Sequence, residues 1–193
     1  IEFVPQIDGV LKKIWIAESG RIFGLNDRQK TLALDMVGHA MSHNLAPSKR
    51  IRSAFVVNAY RLGNKELEMG VWQAAAAIEL VHTALLMHDD FMDEDLLRRG
   101  KETTNAAFSV QYGKHYGDCM AVNVGDMVLS LGYETLIGCG LAPDLIVAAM
   151  GHLQRSILNT AIGQAHDCTM GHWNDWTEAD VLAVHTAKTS LYT

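Results

Sequence analysis

The sequence predicts an all-α protein, a bundle of long helices, on three observations. Apolar residues make up 49% of the 193 residues and proline occurs only 3 times, a composition that favours helices. Apolar positions recur every three or four residues along most of the chain. No β-hairpin signal, internal repeat or low-complexity tract interrupts that pattern. The length suits one domain over residues 1–193 better than two.

Each element follows from local signals. Residues 4–23 carry Ile7, Val10, Leu11, Ile14, Trp15 and Phe23 at helical spacing, and Asn26 with Asp27 offers an N-cap for a second helix over 28–46. Pro47 and Ser48 end it. A third helix covers 51–62, stopped by Gly63 and Asn64, and a central helix over 65–92 has the length of a bundle spine. Arg99 and Gly100 close a charged segment, and 101–105 reads as a loop in which Thr103 and Thr104 cap the next helical stretch. Further helices are expected over 110–116, 119–136, 143–168 and 178–192, divided by Gly117 with Asp118, by residues 138–140 and by residues 171–174.

A net charge of −6 argues against a protein that coats nucleic acid. Cys119, Cys139 and Cys168 are odd in number, far apart and without metal-ligand spacing, so buried free thiols in a reducing compartment are expected. No run approaches the roughly 18 continuous apolar residues of a membrane span, and no signal-peptide pattern opens the chain. A cytoplasmic protein that does not span a membrane is expected. The chain begins at Ile1 without Met, which reads as a trimmed N-terminus.

The chemistry concentrates in residues 79–99. Asp89, Asp90, Asp93, Glu94 and Asp95 follow an apolar helix, with Arg98 and Arg99 directly after them. On a helix at roughly 100° per residue, Asp89 and Asp93 share a face, Asp90 lies on its flank, and the carboxylates should emerge at the helix end. Oxygen-only ligands at this spacing suit a hard cation such as Mg²⁺. A solvated acidic helix end would explain the carboxylates alone; the adjacent guanidinium groups, forked donors for phosphate oxygens, shift the balance toward a diphosphate site. Lys49, Arg50 and Arg52 form a second basic group, placed against the helix dipole. His82 stands two turns before Asp89 on the same face, while Gln164 with Asp167 and Lys188 with Thr189 are weaker pairs.

HDDFMDEDLLRRG resembles the first aspartate-rich motif of the trans-prenyl diphosphate synthases, DDxxD followed by RRG. Lys49-Arg50-Ile51-Arg52 resembles their GGKRxRP motif, Gly163-Gln164-Ala165-His166-Asp167 their GQxxD motif, and Lys188 with Thr189 their KT motif, in the family's order from about residue 30 onward. The resemblance implies a helical bundle around a central cavity, homodimeric assembly and Mg²⁺ held by Asp89, Asp90 and Asp93 against an allylic diphosphate. Arg98 and Lys188 would contact that diphosphate. Lys49, Arg52, His82 and Arg99 would bind isopentenyl diphosphate, and Gln164, Asp167 and Thr189 would line the reaction centre. The family gates product length at the fourth and fifth residues before the first Asp, here Leu85 and Ala84; the small Ala84 implies geranylgeranyl or longer products over farnesyl.

The chain departs from the family at three places. Pro47 and Ser48 replace the Gly-Gly pair, and Ser53 replaces the proline after Arg52. The second aspartate-rich motif has no counterpart, since Asp175 and Asp180 do not form one. The expectation is a piece of a longer polypeptide, lacking C-terminal helices and of low turnover by itself. Two other readings are a class I terpene cyclase, which handles one diphosphate, and a non-catalytic subunit of a hetero-oligomeric synthase.

Overall fold

The computed structural model describes residues 2–21, 26–63 and 66–190, and the chain divides into two compact units, Ile1–Gly140 and Leu141–Thr193. Phe23, Asn64, Lys65 and Tyr192, expected at or near helix ends, lie outside the described residues.

In unit 1 the described residues form α1 (Val4–Gly20), α2 (Asp27–Asn44), α3 (Ile51–Gly63), α4 (Met69–Met92), a hairpin of β1 (Leu97–Arg98) and β2 (Lys101–Glu102), α5 (Thr104–Tyr112) and α6 (Lys114–Ile137). Asn26 caps α2 as expected, its side chain accepting from the Gln29 N–H at 3.0 Å. The spine is α4. Its Ala74, Ala75, Ala76 and Ala77 are buried in succession, and Leu80, Val81 and Ala84 are fully buried, the signature of a helix enclosed on all sides. Each fully buried Leu or Val contributes about 1.5–3 kcal/mol. From α1, Ile7, Leu11 and Trp15 fill one side, and the Trp15 indole donates to Asn44 Oδ1 at 2.8 Å, so its polar atom is satisfied inside the core. By length and composition α4 is apolar enough to cross a membrane, yet 61% of its most apolar window is buried by the protein itself, as in any core spine.

Three expectations are corrected in unit 1. The segment after α4 is a hairpin, pairing Leu97 with Glu102 and Arg98 with Lys101 across Arg99 and Gly100, whose φ values of 53° and 78° build a two-residue turn of the primed kind. The break in the next helical region falls at Gly113, with φ 88°, and not at Gly117. Gly117 sits inside α6, where a Cβ would lie 2.1 Å from Ser109 Oγ and 2.2 Å from the Asn105 carbonyl oxygen; its role is close helix crossing. All three cysteines are free thiols, but only Cys139 is buried; Cys119 and Cys168 are exposed.

The described residues of unit 2 form α7 (Pro143–Met170), α8 (Glu178–His185) and a π-helical turn, Thr186–Ser190. Thr177 and Asp180 start α8 with a capping box, Thr177 N–H donating to Asp180 Oδ2 at 2.7 Å. A Cβ on Gly163 would stand 2.5 Å from the Lys188 backbone nitrogen, so glycine there allows the π turn to lie directly on α7. Turns of this type are frequent at functional sites.

Candidate functional site

The end of α4 is closed by backbone geometry. Asp93 caps it, its N–H bonding to the Asp89 carbonyl at 2.8 Å, and Glu94 with φ 55° reverses the chain. Asp95 then anchors the return: its carbonyl accepts from Thr103 Oγ1 at 2.7 Å and from Asn105 Nδ2 at 3.2 Å. The hairpin so held swings Arg98 back over α4. Its Nη2 lies 3.3 Å from Asp89 Oδ2, and its Nε donates to Asp90 Oδ1.

The carboxylates do not all emerge into solvent as expected. The Asp90 side chain is 3% exposed and that of Asp89 20%, while Asp93 is exposed. Burial pushes the Asp90 carboxyl up and Arg98 pulls it back down, with Asp89 and Asp95 adding to the upward push. No group of three or more His, Cys, Asp and Glu is assembled for a metal among the described residues. Asp89 and Asp90 nevertheless converge on one cation, the Arg98 guanidinium, and their oxygen-only donors fit a hard divalent ion.

Arg99, next along the hairpin, lines a small pocket together with Arg98, Arg50, Glu79 and His82, and extends further than Arg98 toward the basic loop. It also lines an open cleft of about 330 Å³ together with residues 47–52, Glu79 and His82. Four residues assigned to substrate binding, Lys49, Arg52, His82 and Arg99, therefore share one cleft. Arg52 Nη1 stands 3.3 Å from His82 Nε2. Burial, and then the charges of Arg52, Arg99, Arg98 and Arg50, push His82 down to about 3, so its imidazole is neutral; Nε2 accepts from Arg52 and Nδ1 carries the proton. Ala84 is fully buried and Leu85 partly so.

In unit 2, Lys188 Nζ donates to Asp167 Oδ2 at 2.6 Å, and both residues line a cavity of about 240 Å³ with Thr189. Gln164 is buried one turn before Asp167, its Nε2 3.7 Å from Cys168 Sγ.

Sequence reasoning missed several supporting residues. Arg50 is buried, not solvated, and its side chain pairs with Glu79 and Asp8. From α2, His39 and His43 hold the far side of the hairpin: His43 Nε2 lies 3.0 Å from the Glu102 carbonyl and His39 Nε2 3.1 Å from Thr104 Oγ1. A single acid, Glu79, inside the apolar run of α4 was the signal available for the first; nothing local marks the second.

The fold is that of the all-α isoprenoid synthases. A geranylgeranyl pyrophosphate synthase from Corynebacterium glutamicum, solved with isoprenyl diphosphate and magnesium, superposes with a TM-score of 0.84 at 24% identity, over 97% of this chain and 55% of that one. A geranyltransferase from Legionella pneumophila gives 0.77 at 25% identity, over 99% and 62%. Residues 35–193 match the polyprenyl synthetase family model, and the chain belongs to that family. A chloroplastic geranylgeranyl pyrophosphate synthase of Capsicum annuum is 38% identical over 129 residues, 63% of this chain and 32% of its own length. Geranylgeranyl pyrophosphate synthase 7 of Arabidopsis thaliana, also chloroplastic, is 34% identical over 154 residues, 76% of this chain and 42% of its own. The chain thus spans 32% and 42% of the length of these two curated relatives.

Proposed function

We propose that residues 1–193 belong to one isoprenoid synthase-like domain of a trans-prenyltransferase, which condenses isopentenyl diphosphate with an allylic diphosphate. The observation that carries this reading is the division of labour in the hairpin: Arg98 lies on the Asp89–Asp90 pair while Arg99 faces the cleft of Lys49, Arg52 and His82. Two adjoining polar sites beside one turn, one centred on carboxylates and one on cations, are what two diphosphate substrates require. A terpene cyclase, with one diphosphate, leaves the second site without a task.

Asp89, Asp90 and Asp93 would hold Mg²⁺, which when bound neutralises the charge that develops on the departing diphosphate. Arg98 binds that same diphosphate and steadies Asp89 and Asp90. Lys49, Arg52 and Arg99 fix isopentenyl diphosphate by its phosphate oxygens, with His82 beside them as a further polar contact. On unit 2, Lys188 is assigned to diphosphate binding, with Gln164, Asp167 and Thr189 as polar groups near the reacting carbons. The C–O bond of the allylic substrate breaks with its electron pair leaving on diphosphate, the isopentenyl double bond forms the new C–C bond, and a proton is lost. Small Ala84 favours geranylgeranyl or longer products. Mg²⁺ dependence, homodimeric assembly and a cytoplasmic location belong to this proposal; the two plant relatives are chloroplastic.

Incubation of the full-length protein with labelled isopentenyl diphosphate, Mg²⁺ and each allylic primer tests the reading. Incorporation that Asp89→Asn abolishes supports it. Primer consumed into a cyclic hydrocarbon without isopentenyl uptake would identify a cyclase instead, and incorporation only after a second catalytic chain is added would identify a subunit.

A further inference from the structure

We infer that buried Arg50 is the anchor that aims the isopentenyl diphosphate loop, and that Glu79, Ser53 and Asp8 act through it as positioning residues. This rests on the reading of the cleft as the isopentenyl diphosphate site. Arg50 is a non-glycine residue at φ 49°, a left-handed conformation that needs outside support. The support comes from its side chain, which is 3% exposed. Nε donates to Asp8 Oδ1 on α1 at 2.8 Å, Nη1 to Glu79 Oε2 on α4 at 3.2 Å, and Nη2 to the Asn44 carbonyl on α2 at 2.7 Å. Three helices thus grip one guanidinium. Its backbone is tied as well: the N–H donates to Ser48 Oγ at 3.2 Å, and the carbonyl accepts from Ala54 at 2.9 Å.

Glu79 is itself held from the loop side. Its side chain is 4% exposed, and Oε1 accepts from the Ser53 hydroxyl at 2.9 Å and from the Ser53 N–H at 3.3 Å. The hydroxyl also lies 2.8 Å from the Ala75 carbonyl, so its one proton is shared. Serine at 53 therefore supplies both a backbone N–H and a hydroxyl to Glu79, where proline would supply neither. With residue 50 turned inward, Lys49 is left exposed and Arg52 directed to His82, both in the cleft. Ser53 and Asp8 are not among the residues that line it.

Calorimetric titration of the protein with inorganic diphosphate, in chelator and without divalent cation, tests this. Lys49→Ala should weaken binding about tenfold as a direct contact. Ser53→Ala and Asp8→Asn should each weaken it about threefold or more. The sign for Asp8→Asn is the discriminating one. Removing a negative charge near a cationic cleft should by itself tighten anion binding, so weaker binding identifies loss of positioning. Wild-type or tighter affinity in folded Ser53→Ala and Asp8→Asn, with Lys49→Ala still weakened, overturns the anchor and leaves the cleft reading standing. Absence of diphosphate binding by the wild type overturns both. If Ser53→Ala fails to fold by circular dichroism, Asp8→Asn decides, because that side chain is 44% exposed.

Discussion

Gly125 on α6 lies directly against the imidazole of His88 on α4: a Cβ there would stand 2.2 Å from Nε2. Seven residues on, Gly132 meets Val81 in the same manner, with a Cβ 2.8 Å from Val81 Cγ2. Two glycines, two turns apart, seat two α4 side chains also two turns apart, so the register of α4 against α6 is set at these points. His88 immediately precedes Asp89, and its Nε2 also lies 3.5 Å from Asp126 Oδ1. The helix that carries the aspartates is thereby held on one side by Arg98 and on the other by α6.

Gly117→Ala, also in α6, should destabilise the protein by about 1–3 kcal/mol through overpacking, lowering Tm by several degrees, because its Cβ would meet backbone atoms, Asn105 O at 2.2 Å and Ser109 N at 2.9 Å, whereas at Gly125 the His88 ring can swing aside. Gly38→Ala in α2 is the control, since no atom lies within 4 Å of its Cβ; helix propensity alone should stabilise it by about 0.5–1 kcal/mol. Thermal unfolding of both variants checks the pair. Equal effects of the same sign would refute the close approach.

Stability should fall on mild acidification. Burial, then the neighbouring His43 and Lys101, push His39 down to about 4, and His82 is pushed down to about 3. Both values lie below the usual 6.5, so the unfolded chain takes up protons that the folded chain refuses as pH drops below 6.5. Stability from these groups is present above that pH and is lost progressively down to the folded values. At pH 5 the loss should be about 2 kcal/mol per histidine. Urea midpoints at pH 7.5 and 5 measure it, and His39→Gln should flatten the dependence. Coincident midpoints for the wild type would show that these imidazoles are not excluded from solvent as described.

Helix ends with local causes were legible in the sequence: Asn26 at the start of α2, Met92 at the end of α4, Pro143 at the start of α7. Features set by tertiary contact were not. Gly113 and Gly117 look alike in sequence, yet one breaks the helix with a positive φ and the other is a packing contact. The hairpin escaped because its strands are two residues long, too short for any period, and Arg99 stands where Asn or Asp usually marks such a turn. That omission hid the site's main relationship, since Asp90 is tolerable as a buried carboxylate only because the hairpin returns Arg98 to it. The cleft of Lys49, Arg52, His82 and Arg99 was legible through motif order; spacing alone does not unite positions so far apart. Arg50, within the same basic run, turns inward, and the one sign of it in the sequence is its distant partner, the lone acid Glu79 in the apolar run of α4.

Gly163→Ala should act on unit 2 alone. Its Cβ would meet Lys188 N at 2.5 Å and Ala187 C at 2.9 Å, backbone atoms that yield only if the π turn moves. Displacing that turn separates Lys188 from Asp167. Amide hydrogen exchange over residues 186–190 should rise sharply while that of α4 stays unchanged. Gly151→Ala on the same helix, with no atom within 4 Å, should leave exchange unaltered. Unchanged exchange in Gly163→Ala would show that the turn is not held against α7.

Arg98 bears on both stability and cation binding. Its Nε serves the Asp90 carboxylate, whose burial already pushes that carboxyl up; with the guanidinium gone, the remaining influences raise it further. Arg98→Ala should cost about 2 kcal/mol, between the value of one charged hydrogen bond and that of a fully buried ion pair, because Arg98 itself is 26% exposed. Bare Mg²⁺ should respond in the opposite direction. In the wild type an incoming ion must compete with Arg98 for Asp89 and Asp90, whereas in Arg98→Ala that internal cation is absent. Millimolar Mg²⁺ without diphosphate should therefore raise the Tm of Arg98→Ala more than that of the wild type. With inorganic diphosphate added the order should reverse if Arg98 binds the anion as proposed. An equal Mg²⁺ response in the two proteins, with and without diphosphate, would show that Arg98 neither competes with the ion nor binds the anion.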